Sequence, residues 1–450
     1  MKYGSYRPAW AEISLDAIKG NVKAFKKHIA EETKLMAVVK ADGYGHGAVE
    51  VAEAAIEAGA DYLAVALLDE ALILRKAGID FPLLVLGYTP AESVKEAIVE
   101  NITLTVFTEE VAEKIQQIAD EMKKLVRIHI KIDSGMHRIG IRDKLEVYDL
   151  IQKIKSDYVY IEGIYTHFAD ADNTDSAYTK KQFQNYMEVI DYLQEKHIDI
   201  PIKHCCNSAA TIQYPEMHLD MVRVGVSLYG LYPEEHMKNM ISLTQAMSFK
   251  TKPVFVKTVK AEEPISYGCT YTPKKDSLIA TIPIGYADGF SRSLSNKGYV
   301  TVKGVNVPIV GRICMDQSMI DVSEVGNVSR DDVVTIFGDP NEGYISMGDV
   351  AKIMNTIHYE TACLIGKRVP RVYIKNGQII KEQSLLTNII TAENITTEAY
   401  ILDGINWNSL FLNSLLRAIY EYYTADHARN GRYFLAWSFL SSFCKNPSKF

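Results

Sequence analysis

Leu35-Met36-Ala37-Val38-Val39-Lys40 runs straight into Ala41-Asp42-Gly43-Tyr44-Gly45-His46-Gly47 and a helical pattern over 46–58. Apolar residues of strand character lead into a lysine, a glycine-rich turn and a helix. This places an amine at the carboxyl end of a buried strand, under a flexible loop. Such an amine is either buried and paired, or it is a nucleophile.

The same unit recurs along the chain. Strand-like runs stand at 35–40, 62–67, 83–87, 102–107, 126–133, 159–167, 201–206 and 221–228, with helical patterns at 46–58, 69–77, 92–100, 109–124 and 178–196. A further helix is expected at 16–30, and Thr108 before Glu109-Glu110 reads as a cap. Eight strands, each followed by a helix, within roughly 200 to 250 residues predict a TIM-like (β/α)8 barrel of the α/β class. The alternative, a doubly wound sheet, usually has fewer strands and a GxGxxG turn, which is absent after strand 35–40.

Beyond about residue 245 the pattern turns β-rich. Segments 253–260, 278–284, 299–303, 307–313, 318–322 and 332–337 alternate with turns such as Lys303-Gly304 and Asn376-Gly377, and 346–358 is helix-like. We therefore expect a barrel over 1–245 and a mainly antiparallel β domain over 246–385. Whether residues 1–12 pack with the second domain stays open. Residues 386–450 read as an extra, helical C-terminal extension of unknown role. They include the aromatic segment 405–424 and the apolar segment 433–443.

The chain has 450 residues and a net charge of −7, with no long basic run, which argues against a nucleic-acid partner. No stretch reaches the roughly 18 apolar residues of a membrane span, and the first residues carry no apolar secretory segment. Six cysteines without a CxxC pair read as free thiols, with no metal site, and a cytoplasmic location is expected.

In a barrel the site forms at the carboxyl ends of the strands. These ends deliver Lys40; then Lys131 and Asp133 with Ser134-Gly135-Met136-His137-Arg138; then His167; then Asn207-Ser208-Ala209-Ala210; then Arg223, Gly225 and Val226. The last two loops are the usual barrel phosphate site. Ser208 is expected to cap a helix there, and Gly225 to let the backbone come close. A Schiff-base-forming lysine beside a phosphate site points to pyridoxal 5'-phosphate.

The sequence resembles the alanine racemases, which are fold-type III pyridoxal phosphate enzymes. The likeness is carried by Arg7-Pro8-Ala9-Trp10-Ala11-Glu12-Ile13, by 38–47, and by Asp133-Ser134-Gly135-Met136-His137-Arg138-Ile139-Gly140. It continues through 207–210, 223–230, Ser266-Tyr267-Gly268-Cys269-Thr270-Tyr271, 284–289, Gly311-Arg312-Ile313-Cys314-Met315-Asp316 and Arg368-Val369-Pro370-Arg371. It spans about 7–381 and leaves out the extension.

The resemblance implies interconversion of L- and D-alanine, supplying D-alanine for peptidoglycan, with two bases. Lys40 would hold the cofactor and serve one face of Cα. Tyr267, from the other subunit of a homodimer with shared sites, would serve the other. Tyr44, Ser208, Gly225, Val226 and Tyr359 would hold the phosphate. Arg223 would face the ring nitrogen, with His167 fixing it. Arg138 and Met315 would bind substrate, and Tyr286 would narrow the mouth. Lys131 would be carbamylated or left as a free amine. A serine or broad-specificity racemase, a non-catalytic carrier on the same barrel and a decarboxylase using Cys314 are the competing readings.

Overall fold

The structure, a computed structural model, describes residues 5–386. Segments 405–424 and 433–443, Cys444 and the expected helical extension lie outside the described residues.

Eight parallel strands form one sheet: β2 (Lys34–Val38), β3 (Tyr62–Val65), β4 (Leu83–Val85), β5 (Thr103–Val106), β6 (Val126–Lys131), β7 (Val159–Tyr165), β8 (Ile202–His204) and β9 (Met221–Val224). Their order is β8-β7-β6-β5-β4-β3-β2-β9. The two outer strands meet across the seam, where Asp220 N–H donates to Lys203 C=O at 3.1 Å and Arg223 N–H to Cys206 C=O at 3.0 Å. The sheet is therefore a nearly closed barrel. β3, β4, β5 and β9 are buried at every residue; β3 and β4 accordingly read as unbroken apolar runs, while β5 carries Thr103 and Thr105 and β9 carries Arg223.

Helices Ala48–Glu57, Leu68–Lys76, Val94–Val99, Glu109–Met122, Lys144–Lys153, Ala177–Glu195 and Ser208–Gln213 follow the first seven of these strands. The expected helix after the eighth strand is a short 3-10 turn instead, Val226–Tyr229. Helix Leu15–His28 packs on that turn. Its buried Asn21 amide donates to the Leu228 and Thr244 carbonyls, both at 2.9 Å. The amino-terminal helix thus packs where the barrel's last helix would stand.

Before that helix lies β1 (Ala9–Ser14), and after the barrel come β10 (Met247–Thr251), β11 (Phe255–Val259), β12 (Ser277–Ile282), β13 (Tyr299–Val302), β14 (Val305–Pro308), β15 (Ser318–Asp321), β16 (Val334–Phe337), β17 (Arg371–Lys375) and β18 (Gln378–Gln383). They make a seven-stranded sheet, β14-β13-β16-β10-β1-β17-β18, and a three-stranded one, β11-β12-β15. All pairs are antiparallel except β1 with β17.

The two glycine turns are two-residue hairpins with positive φ at both central residues, Lys303 at 49° and Gly304 at 78°, Asn376 at 52° and Gly377 at 70°. One apolar core runs from the barrel, through Phe25, Leu35 and Met36, into Phe249 and Phe337 of the second sheet. A smaller cluster of Val259, Ile265, Ile279 and Val310 lies beneath the three-stranded sheet.

Candidate active site

Lys40 follows β2 and opens a turn whose backbone is left-handed. Ala41, Asp42 and Tyr44 have φ of 52°, 54° and 51°. Such residues cost about 1–2 kcal/mol each, so the turn needs anchors. The Glu70 carboxylate accepts Ala41 N–H at 2.6 Å, together with Ala66 and Leu67 N–H. Asp42 accepts Ala48 N–H at 3.0 Å. His46 donates from Nδ1 to the Gly43 and Tyr44 carbonyls. Burial lowers the Lys40 pKa, the Arg138 charge lowers it further, and Glu70 and Cys363 oppose them.

The loop after β6 brings Arg138. Its anchor is Asp133, whose carboxylate accepts the N–H groups of Gly135 and His137 at 3.1 and 2.9 Å and His137 Nδ1–H at 3.1 Å. Among the described residues the exposed Arg138 guanidinium has no hydrogen-bond partner. Lys131 is buried and donates to Ile132 C=O at 2.6 Å. Burial and the charge of Arg223 push its pKa down to about 7.

Gly225 N–H donates to Ser208 Oγ at 3.0 Å, and a Cβ on Gly225 would lie 2.6 Å from the Tyr44 hydroxyl. The rings of Tyr44 and Tyr359 are 6.5 Å apart, and Lys40 Nζ stands 6.0 Å from the Tyr44 ring centre. Val226, also buried, follows in the same turn. One pocket wall thus gathers two phenols, a hydroxyl and close-approaching backbone beside Lys40. Ser208 is not the cap. Asn207 is, its side chain accepting Ala210 N–H at 3.0 Å, which leaves the Ser208 hydroxyl to face Gly225.

Arg223 is 3% exposed, and among the described residues it forms no ion pair. It donates to Thr166 C=O at 2.7 Å, Cys205 C=O at 3.0 Å, His204 Nδ1 at 3.0 Å and His167 Nδ1 at 3.2 Å. Burial and Arg223 hold His167 well below the ordinary histidine pKa, so it is a neutral acceptor.

Tyr267, Tyr286 and Met315 form a separate exposed group, at 72%, 43% and 53% exposure. Tyr286 N–H donates to Cys314 C=O at 3.0 Å and Ala287 N–H to Met315 C=O at 3.1 Å. Ser266 donates to Arg312 C=O at 2.6 Å, which ties the Tyr267 turn to the same segment. Buried Asp288 anchors the group by accepting from Arg7, Arg368 and Gly285 N–H. No hydrogen bond or ion pair among the described residues joins this group to Lys40.

Some residues that build the site had no role assigned from sequence: Glu70, His204 and Arg371. Arg371 is buried and donates to four carbonyls, including Gly45 beyond the Lys40 turn at 3.1 Å. A polar residue at every second position of β6 (Arg127, His129, Lys131) was the available signal for a polar barrel interior. Thr108 is another correction. It stands at the helix start, but its buried hydroxyl makes no cap bond and has no partner, the Ala112 N–H being taken by its carbonyl.

Residues 13–233 match the family "Alanine racemase, N-terminal domain" and 246–373 match "Alanine racemase, C-terminal domain". "Alanine racemase 2" of Oceanobacillus iheyensis is 62% identical over 386 residues, covering 86% of this chain and 98% of its own. "Alanine racemase" of Methanococcus maripaludis is 50% identical, covering 82% of this chain and 99% of its own. The crystal structure of alanine racemase from Bacillus anthracis with bound L-Ala-P is 40% identical with a TM-score of 0.80, covering 85% of this chain and 99% of that one. A barrel with Lys40 at its mouth, a turn between β11 and β12 carrying Tyr267 and these likenesses along both parts together place the chain in the alanine racemase family.

Proposed function

We propose that the chain interconverts L- and D-alanine with pyridoxal 5'-phosphate, acting as a homodimer in the cytoplasm and supplying D-alanine for peptidoglycan. The observation that carries this is the Lys40 amine, lowered in pKa by burial and by Arg138, standing beside the Tyr44–Ser208–Gly225 wall. The donor set fits the cofactor. A Cβ at Gly225 would fill the cradle against Tyr44, and Arg223 offers a charged guanidinium with no carboxylate against it. When bound, the cofactor supplies an electron sink for charge developing at substrate Cα.

The chain's own residues do the rest. Ser208, Gly225, Val226, Tyr44 and Tyr359 hold the phosphate. Arg223, braced by His167, would meet the ring nitrogen as a permanent cation and would disfavour its protonation. Arg138 holds the substrate carboxylate. Lys40 takes or gives the Cα proton on one face. A single base held on one face does not easily reach the other, so a second base on the opposite face is called for. Tyr267 supplies it, from a second copy of the chain, with Met315 beside it binding substrate. Exposure of Tyr267, Tyr286 and Met315 supports this sharing, since a lone chain leaves them without cover. Tyr286 narrows the mouth to a methyl side chain.

Lys131, about half neutral near pH 7 and increasingly so above it, is suited to take up carbon dioxide as a carbamate beside Arg138. We also propose the division at about residue 245 into a cofactor-bearing barrel and a Tyr267-bearing β domain. The test is racemisation of L-alanine, L-serine and L-lysine by the holoenzyme. Preference for alanine supports the proposal, and a clear preference for a larger side chain refutes it.

A further inference from the structure

The interior of the barrel holds a buried titratable chain that the reaction does not use. Arg223 donates to His204 Nδ1 at 3.0 Å, His204 Nε2 stands 2.8 Å from His129 Nδ1, and His129 Nε2 stands 3.2 Å from Glu162 Oε2. An arginine can only donate and a carboxylate only accept. These two ends fix the proton positions: His204 is bare at Nδ1 and protonated at Nε2, and so is His129. Every N–H in the chain points away from Arg223 and toward Glu162.

The two imidazoles are fully buried, and burial lowers both pKa values, so they are neutral links. His204 also stacks on Tyr165, with ring centres 4.8 Å apart. Glu162 faces Arg127 Nε at 3.4 Å and the Tyr62 hydroxyl at 2.8 Å. Burial works to raise its pKa, but His129, Tyr62 and Arg127 hold it below the ordinary value, as a carboxylate.

The backbone is shaped for this chain. β6 and β7 shift register between Ile128 and His129. Opposite stands Gly163, where a Cβ would lie 2.6 Å from the His129 ring. A buried cation without a direct carboxylate is costly unless charge is returned to it. Here the nearest carboxylate along hydrogen bonds is Glu162, two rings away.

We propose that His204, His129 and Glu162 are positioning residues that carry the counter-charge of Arg223 through the barrel and so set how its guanidinium acts on the ring nitrogen of the bound cofactor. This rests on the reading that Arg223 faces that nitrogen. Two neutral links leave the guanidinium charged toward the cofactor, where a direct carboxylate would neutralise it.

The test uses 15N-histidine-labelled holoenzyme near neutral pH. Both His204 and His129 are expected neutral, protonated at Nε2 and bare at Nδ1. A proton on Nδ1 of either ring overturns the relay. In parallel, Glu162→Gln and His129→Gln are made singly and together in holoenzyme carrying 15N-labelled cofactor. Each is expected to move the ring-nitrogen resonance in the same direction. Glu162→Gln is expected to lower the pH midpoint of the visible band by a few tenths of a unit, because a negative charge is lost.

The double variant is expected to match the larger single one. An unmoved ring nitrogen, or additive shifts of a through-space effect, overturns the proposal. Absence of a visible band on Lys40 would count against the proposed function instead, while the ring protonation still tests the relay. If the variants do not fold, the protonation of the unaltered protein decides.

Discussion

Replacing Glu70 by alanine should release the turn that presents Lys40. That turn holds Ala41, Asp42 and Tyr44 at φ between 51° and 54°, and three such residues cost about 3–6 kcal/mol. The Glu70 carboxylate accepts Ala41 N–H at 2.6 Å inside the turn, a charge-assisted bond of about 1.5–3 kcal/mol. The Asp42 bond to Ala48 N–H contributes a similar amount. The remaining bonds of Glu70, to Ala66 and Leu67 N–H, fix the start of helix Leu68–Lys76.

Losing the Ala41 bond alone removes a large part of what offsets the strain, so about 1.4–2.8 kcal/mol should pass into cofactor binding. This corresponds to a ten- to hundredfold rise in Kd for pyridoxal 5'-phosphate. The assay is titration of the apoenzyme with cofactor, followed by the visible band, beside thermal unfolding. Glu70→Gln keeps one acceptor oxygen and should lose less. Unchanged affinity and unfolding temperature in Glu70→Ala would show that the turn does not depend on this anchor, and would refute the reasoning.

Other expected outcomes rest on the same geometry. Gly225→Ala places a Cβ 2.6 Å from the Tyr44 hydroxyl and should weaken cofactor binding by about tenfold, the loss of one hydrogen bond, read by the same titration. Tyr267→Phe should abolish racemisation without shifting thermal unfolding, because the residue is 72% exposed in the single chain; full-rate racemisation in both directions would remove its role as a base. Lys131 has a folded pKa pushed down to about 7, below its unfolded value, so the folded state binds fewer protons between about pH 7 and 10.4. Burying this charge is a penalty, full below pH 7 and relieved as pH rises through that window. Lys131→Met should therefore stabilise the protein most at the acid side, by a few kcal/mol in bicarbonate-free buffer, with the gain shrinking toward pH 10. Denaturant unfolding across pH checks it, and a gain that grows with pH would contradict it.

The barrel was legible because strands buried on both faces read as apolar runs between helical patterns, and Lys303-Gly304 and Asn376-Gly377 announced their hairpins through residues that tolerate positive φ. What stayed hidden depends on distance along the chain. The missing last helix became clear only with Asn21 reaching Leu228, more than two hundred residues away.

Glu70 looks like any acidic residue in a first helical turn until the turn at Ala41 is folded over it. Asn207 and Ser208 are both good caps by chemistry, and only the position of Gly225 decides that the second keeps its hydroxyl free for the site. The expected helix over 69–77 was found with little error, whereas the Lys144–Lys153 helix was not singled out. It is a short amphipathic segment lying between two loops.

The decisive test is racemisation by the holoenzyme and by Lys40→Ala, measured together with the visible absorbance of the bound cofactor. A Schiff-base lysine that is also a base predicts D-alanine from L-alanine and the reverse, with a visible band that borohydride abolishes, and loss of both band and racemisation in Lys40→Ala. A Lys40→Ala protein that keeps the borohydride-sensitive band, or racemises alanine at the original rate, would contradict it.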